Sequence, residues 1–152
     1  GAAHDRSMEV DRNGLEVLDR EESLRLLATA TLGRLGLTSG ALPTVLPVNF
    51  RLDGERVLVR TGRGGKLHAA TQNTVVAFEV DDFDPLFQSG WSVVIVGMAR
   101  EVTDPAELGS LSSVPLVRWA PLGDGHVVAI STELVSGRRL AAGGAPEREE
   151  AR

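Results

Sequence analysis

Cysteine is absent from the 152-residue chain, which excludes disulfides, thiolate nucleophiles and zinc–thiolate centres. Tyrosine is absent too, and aromatic residues make up only 4% of the chain, too few for the stacking platforms that hold single-stranded nucleic acid. Cationic charge is scarce: 16 basic against 21 acidic residues give a net charge of −5, without a basic cluster able to follow a phosphate backbone. No apolar run approaches the roughly 20 residues of a membrane helix, and no signal-peptide pattern opens the chain. The expectation is therefore a cytoplasmic protein that binds neither nucleic acid nor membrane. Residues 1–7, ahead of Met8, read as a cloning remnant. Residues 8–140 then form one domain, and the small, charged segment 141–152 reads as a disordered tail.

Catalytic side chains are also sparse. The histidines His4, His68 and His126 lie far apart in sequence, with no partner at metal-ligand spacing, so no metal site is expected. Ser92 and Ser131 fall in strand patterns without a nucleophile elbow. The run Asp81 to Asp84, followed by Pro85 and with no second acidic cluster, reads as a solvated loop rather than a calcium loop. No residue is assigned as catalytic. A chain so poor in its own acids, bases and nucleophiles either performs no catalysis or takes its chemistry from a cofactor.

What is present is mostly strand. Residues 19–28 form an amphipathic helix pattern with Asp19 as N-cap and Leu24, Leu27 and Ala28 as the buried stripe. Strand patterns follow over 31–38, 44–52 and 56–60, the last two joined by the hairpin signal Asp53-Gly54. A short helix is expected over about 65–71, strands over 74–80 and 91–102, a helix over 105–111 with Asp104 as N-cap, and a last strand over 126–134. Some six hairpin-linked strands with short helices between them predict a mainly β, antiparallel barrel.

The densest chemical signal is Arg60-Thr61-Gly62-Arg63-Gly64-Gly65-Lys66-Leu67, which holds the only lysine. Strand, glycine loop, cations and helix start make an anion site, since glycines admit close backbone approach and a helix start offers free N–H groups. The run matches neither the P-loop nor the dinucleotide fingerprint. Its charge suits one phosphate group, and a solvated basic turn is the competing reading.

Five strings in order carry a resemblance: Leu32-Gly33-Arg34-Leu35-Gly36-Leu37; Leu42 to Phe50; Arg60-Thr61 with Gly65-Lys66-Leu67; Val76 to Asp81; and Gly90-Trp91-Ser92-Val93. Together they resemble the pyridoxamine 5′-phosphate oxidase-like proteins, in particular the nitroimidazole-resistance-like branch of actinobacterial type. The resemblance implies a split β-barrel that forms a homodimer with flavin mononucleotide (FMN) at the subunit interface. It places Pro47, Val48, Asn49 and Phe50 along the flavin ring, largely through backbone contacts. Arg60 and Thr61 fall at the ribityl-phosphate portion, Lys66 at the phosphate with Leu67 beside it, and Trp91 and Ser92 at the interface. Trp119 is implied as a partner-subunit contact or a barrel seal, and Arg138 and Arg139 as a second anion contact or a solvated end. The activity implied is a flavin-dependent oxidoreductase acting on a small organic substrate. Alternatives are a reductase using the deazaflavin coenzyme, a flavin-sequestering protein without turnover, haem binding, and a dimerisation module with an empty cleft.

Overall fold

The structure, a computed structural model, describes residues 8–62, 66–111 and 125–140. The elements run β1 (Glu16–Leu18), α1 (Arg20–Leu27), β2 (Leu32–Ser39), β3 (Leu42–Asp53), β4 (Arg56–Thr61), α2 (Lys66–Ala70), β5 (Thr74–Asp84), β6 (Ser89–Glu101), α3 (Pro105–Ser110), β7 (His126–Ser131) and β8 (Leu134–Leu140). Every strand pairing is antiparallel, in the order β1-β8-β6-β5-β2-β3-β4-β7, and a further β6–β7 pairing closes six strands into a barrel. The mainly β split barrel expected from the sequence is the fold observed.

Closure depends on the length of β6. Its first half pairs with β8 up to Val96↔Leu134, and its end pairs with β7 from Ala99↔Ile130. The changeover falls at Gly97, where an added Cβ would lie 1.7 Å from the Ser131 carbonyl oxygen. Only glycine lets the two backbones approach this closely. Beside it, the Met98 amide donates to Ser131 Oγ at 2.9 Å. The Asp53-Gly54 hairpin forms as expected, with Gly54 at φ +61°.

Alternate residues of the barrel strands point inward to one core that includes Leu35, Phe50, Val59, Phe78, Ile95 and Val128. The rings of Phe50 and Phe78 meet edge to face at 4.9 Å between centroids. A smaller cluster of Leu58, Val102, Leu111, Val127 and Ala129 covers the outer face of β4 and β7.

Several boundaries differ from expectation. β5 continues through the acidic run to Asp84 because those residues pair with Ser89 to Ser92 across a hairpin, so the run is strand, not loop. The last strand is two: β7 ends at Ser131 and β8 returns along β6. On α1 the fully or nearly buried residues are Ser23, Leu26 and Leu27, while Leu24 is half-buried and Ala28 is exposed. A serine can be buried there because it packs on Gly137 of β8 and its hydroxyl donates to the Asp19 carbonyl. Asp19 caps α1 through the Glu22 amide, whereas Asp104 makes no side-chain cap to α3.

Candidate functional site

Two of the segments flagged for a ligand, 47–50 and 60–61, meet at the paired ends of β3 and β4. Phe50 pairs with Val59, and both point into the core. Asn49 and Arg60, one residue further along each strand, therefore lie side by side on the outer face. Asn49 Nδ2 and Arg60 Nε are both buried without a hydrogen-bond partner among the described residues. The stem of Arg60 lies against the backbone of Gly125, whose added Cβ would come within 3.1 Å of Arg60 Cγ. Two adjacent buried donors left unpaired cost free energy unless something accepts from them, so the geometry calls for an acceptor on this face.

The other expected contacts divide by the same alternation. The side chains of Val48 and Phe50 belong to the core, 8% and 2% exposed, so only their backbone is available to an outer ligand. Pro47 is exposed. Thr61, 2% exposed, points inward beside its register partner His126, and its hydroxyl also lacks a partner among the described residues. Lys66 is the first residue of the five-residue α2, and Leu67 packs half-buried against the core. Residues 63–65 and Trp119 lie outside the described residues. Trp91 and Ser92 sit ten and nine residues before Glu101 on β6, roughly 30 Å along the strand contour from the Arg60 end. There they border a shallow groove with Asp82, Phe83 and Gly90.

Two expectations change. Arg138 and Arg139 are neither a spare anion contact nor a solvated end. Arg138 Nε bonds Asp11 Oδ2 at 3.0 Å, and Arg139 reaches Glu22 Oε1 at 2.6 Å and Glu16 Oε2 at 3.4 Å. Nor do the histidines stand apart: the His68 and His126 rings stack at 4.0 Å between centroids, with Glu101 against both. Sequence spacing hid this cluster because α2, β6 and β7 bring in one residue each.

The outer face beside the site carries an apolar row that no described residue covers. A single cross-strand row runs Val45–Gly36–Ala77–Val96–Leu134 over β3, β2, β5, β6 and β8. Val45 and Leu134 at its ends are 71% and 67% exposed, and Val75 and Met98 extend the patch. One row nearer the site, Glu79 pairs with Arg34 and Val94. Burial first, then the hydrogen bond and charge of Asp81, push the Glu79 carboxyl up to about 7.

A closed six-strand barrel, a corner with two buried donors unpartnered among the described residues, and an exposed apolar outer face describe a split-barrel protein. The comparisons agree on the family. The pyridoxamine 5′-phosphate oxidase family model matches residues 19–139, and the chain belongs to that family. It is 41% identical over 130 residues to the uncharacterized protein Rv0080 of Mycobacterium tuberculosis, covering 82% of this chain and 85% of the relative. A FAD binding protein from Mycobacterium smegmatis has a similar structure, with TM-score 0.73 and 35% identity over 82% of this chain and 98% of that one. A conserved protein of unknown function from Corynebacterium diphtheriae is also similar, with TM-score 0.72 and 35% identity over 84% and 99%.

Proposed function

We propose that this protein binds a flavin nucleotide on the outer face of β3 and β4 and acts as a flavin-dependent oxidoreductase on a small organic substrate. The observation that carries this reading is the pair of unpartnered buried donors, Asn49 Nδ2 and Arg60 Nε, side by side at that face. The donor set fits the group: an amide beside a guanidinium suits the ring-edge carbonyls and the phosphate of a flavin. Arg60, with Lys66, would hold the phosphate, and the backbone of Pro47 to Phe50 would lie along the ring.

When bound, the flavin supplies hydride and electron transfer, which the chain's own side chains do not. The chain's part is binding and orientation. Arg60 neutralises the phosphate, Asn49 fixes the ring edge, and the apolar strands beside them keep water from the ring. A second copy docked on the Val45-to-Leu134 row would cover that apolar face and close the cleft, which supports a homodimer with the cofactor at its interface. In that arrangement Trp91 and Ser92 would reach the ring from the partner copy.

FMN suits the single phosphate corner. FAD is the second reading, favoured by the 35% identical M. smegmatis protein named for binding it. The purified protein, saturated with FMN or FAD and desalted, is expected to retain flavin absorbance, and chromatography of the released cofactor identifies which. A colourless protein after both treatments overturns the flavin reading. Retained flavin that neither NADH nor NADPH reduces overturns the oxidoreductase part and leaves a flavin carrier.

A further inference from the structure

At the end of the barrel interior beneath α2, three side chains from three elements converge. His126 of β7 hydrogen-bonds through Nδ1 to Glu101 Oε1 of β6. His68 of α2 brings Nε2 to 3.9 Å from the other carboxylate oxygen, and all three ligand atoms lie within 4.8 Å of one another. We propose that His68, Glu101 and His126 form a binding site for a divalent first-row transition metal, with zinc the preferred occupant and water completing the coordination.

Hydrogen bonding does not account for the inward placement of His68. At 3.9 Å its Nε2 is beyond hydrogen-bond reach of Glu101, and its Nδ1 is buried with no partner among the described residues. A metal between the rings and the carboxylate would bond Nε2 directly. Bonds of about 2.0–2.1 Å in tetrahedral geometry set ligand atoms roughly 3.3 Å apart. Side-chain rotations of about 1 Å or less would bring the present separations to that value.

A second observation points to the same place. Thr61, 2% exposed, is the register partner of His126 and shares its inward face, yet its hydroxyl has no partner among the described residues. A metal-bound water would give that hydroxyl one. The side chains of His68, Glu101 and His126 are 24%, 19% and 29% exposed, enough for an ion to enter and for one coordination position to stay open. Two imidazoles and one carboxylate select zinc, iron(II) or nickel(II) over magnesium and calcium, which prefer all-oxygen sites. A neutral His126 ligates through Nδ1 only as the Nε2–H tautomer, so on binding its ring proton moves from Nδ1 to Nε2 by exchange with solvent. The site faces the barrel interior while the flavin face lies outside, so this proposal stands without the flavin reading.

The test uses the full chain as purified, carrying His4→Ala to remove the remaining histidine. After chelator treatment, incubation with zinc chloride and desalting, one zinc per chain is expected by elemental analysis, and none with magnesium chloride. His68→Ala and His126→Ala should each weaken zinc binding by roughly 100-fold or more, as loss of a direct ligand costs at least as much as loss of an outer-shell partner. Equal zinc affinity in the intact triad and in either variant overturns the site. Should a variant fail to fold, diethyl pyrocarbonate labelling of the intact triad decides: zinc must protect both His68 and His126 where magnesium protects neither. Labelling unchanged by zinc overturns the proposal.

Discussion

Arg60 and Arg139 both lie toward the ends of their strands, and their surroundings could hardly differ more. Arg139 is matched by two carboxylates, Glu22 at 2.6 Å and Glu16 at 3.4 Å, and its neighbour Arg138 is held by Asp11. Arg60 has a buried Nε with no partner among the described residues, beside an equally unpartnered Asn49 amide. The β8 arginines serve the fold, tying the amino-terminal segment to the barrel. The β4 arginine, with no acid against it among the described residues, is the one proposed to serve a ligand. An arginine count cannot separate these roles, because what matters is whether the fold brings an acid to each guanidinium.

The largest effect that separates the two regions is on cofactor affinity. Arg60→Ala should weaken flavin binding by roughly 10–100-fold, the loss of a charge-assisted hydrogen bond worth about 1.5–3 kcal/mol. Arg139→Ala should change it less than about twofold, since surface ion pairs contribute little away from their own partners. Titration of flavin fluorescence quenching reads both. Equal losses in the two variants would erase the distinction drawn between them.

Stability should divide the other way. Arg139→Ala removes two half-exposed ion pairs and should cost about 1 kcal/mol near neutral pH. Hydrogen bonds from Arg25 and then Arg139 hold the Glu22 carboxyl down at about 2, below its ordinary 4.5. A depressed carboxyl contributes stability above pH 4.5 and loses it as the pH falls toward 2. The gap between wild type and Arg139→Ala in urea midpoint should therefore narrow over that window. Arg60→Ala, which breaks no pair among the described residues, should leave the flavin-free midpoint nearly unchanged. A loss as large as that of Arg139→Ala would mean Arg60 is structural after all.

The sequence revealed the barrel readily because its signals are local: alternating strands, the Asp53-Gly54 hairpin and the Asp19 cap each need only a few neighbouring residues. It also flagged Asn49, Arg60 and Thr61, three of the five residues with buried side-chain polar atoms that lack partners among those described. What it missed was non-local. β8 is not separated from the last strand pattern, 126–134, until it is seen to pair with the first half of β6. The acidic run looks like loop because its charges are visible, while the backbone pairing that makes it strand is not. His68 and His126 stand 58 positions apart, and only barrel closure stacks their rings. Glu101 carried one faint signal. A polar residue continuing the inward phase of Val93, Ile95 and Ala99 could have been noticed as an acid pointing into a core.

The smallest effect concerns a carboxylate with too little cation rather than an arginine with no acid. Arg34 is the register partner of Glu79, yet its guanidinium lies 3.4 Å from Asp81, whose hydrogen bond and charge add to burial in raising the Glu79 carboxyl to about 7. A raised carboxyl binds its proton more tightly in the folded state than in the unfolded one. Stability is then greatest below pH 4.5, falls as the pH rises from 4.5 to about 7, and is flat above that. Glu79→Gln should flatten this decline and raise the melting temperature at pH 8 by a few degrees, with little change at pH 4. Because Glu79 borders the exposed apolar row, a dimer formed on that face would bury it further and should dissociate more readily as the pH rises through the same window. Sedimentation at pH 5 and pH 8 reads that shift. An association constant independent of pH in wild type would place the dimer contact elsewhere on the barrel, and with it the cover proposed for the Asn49–Arg60 corner.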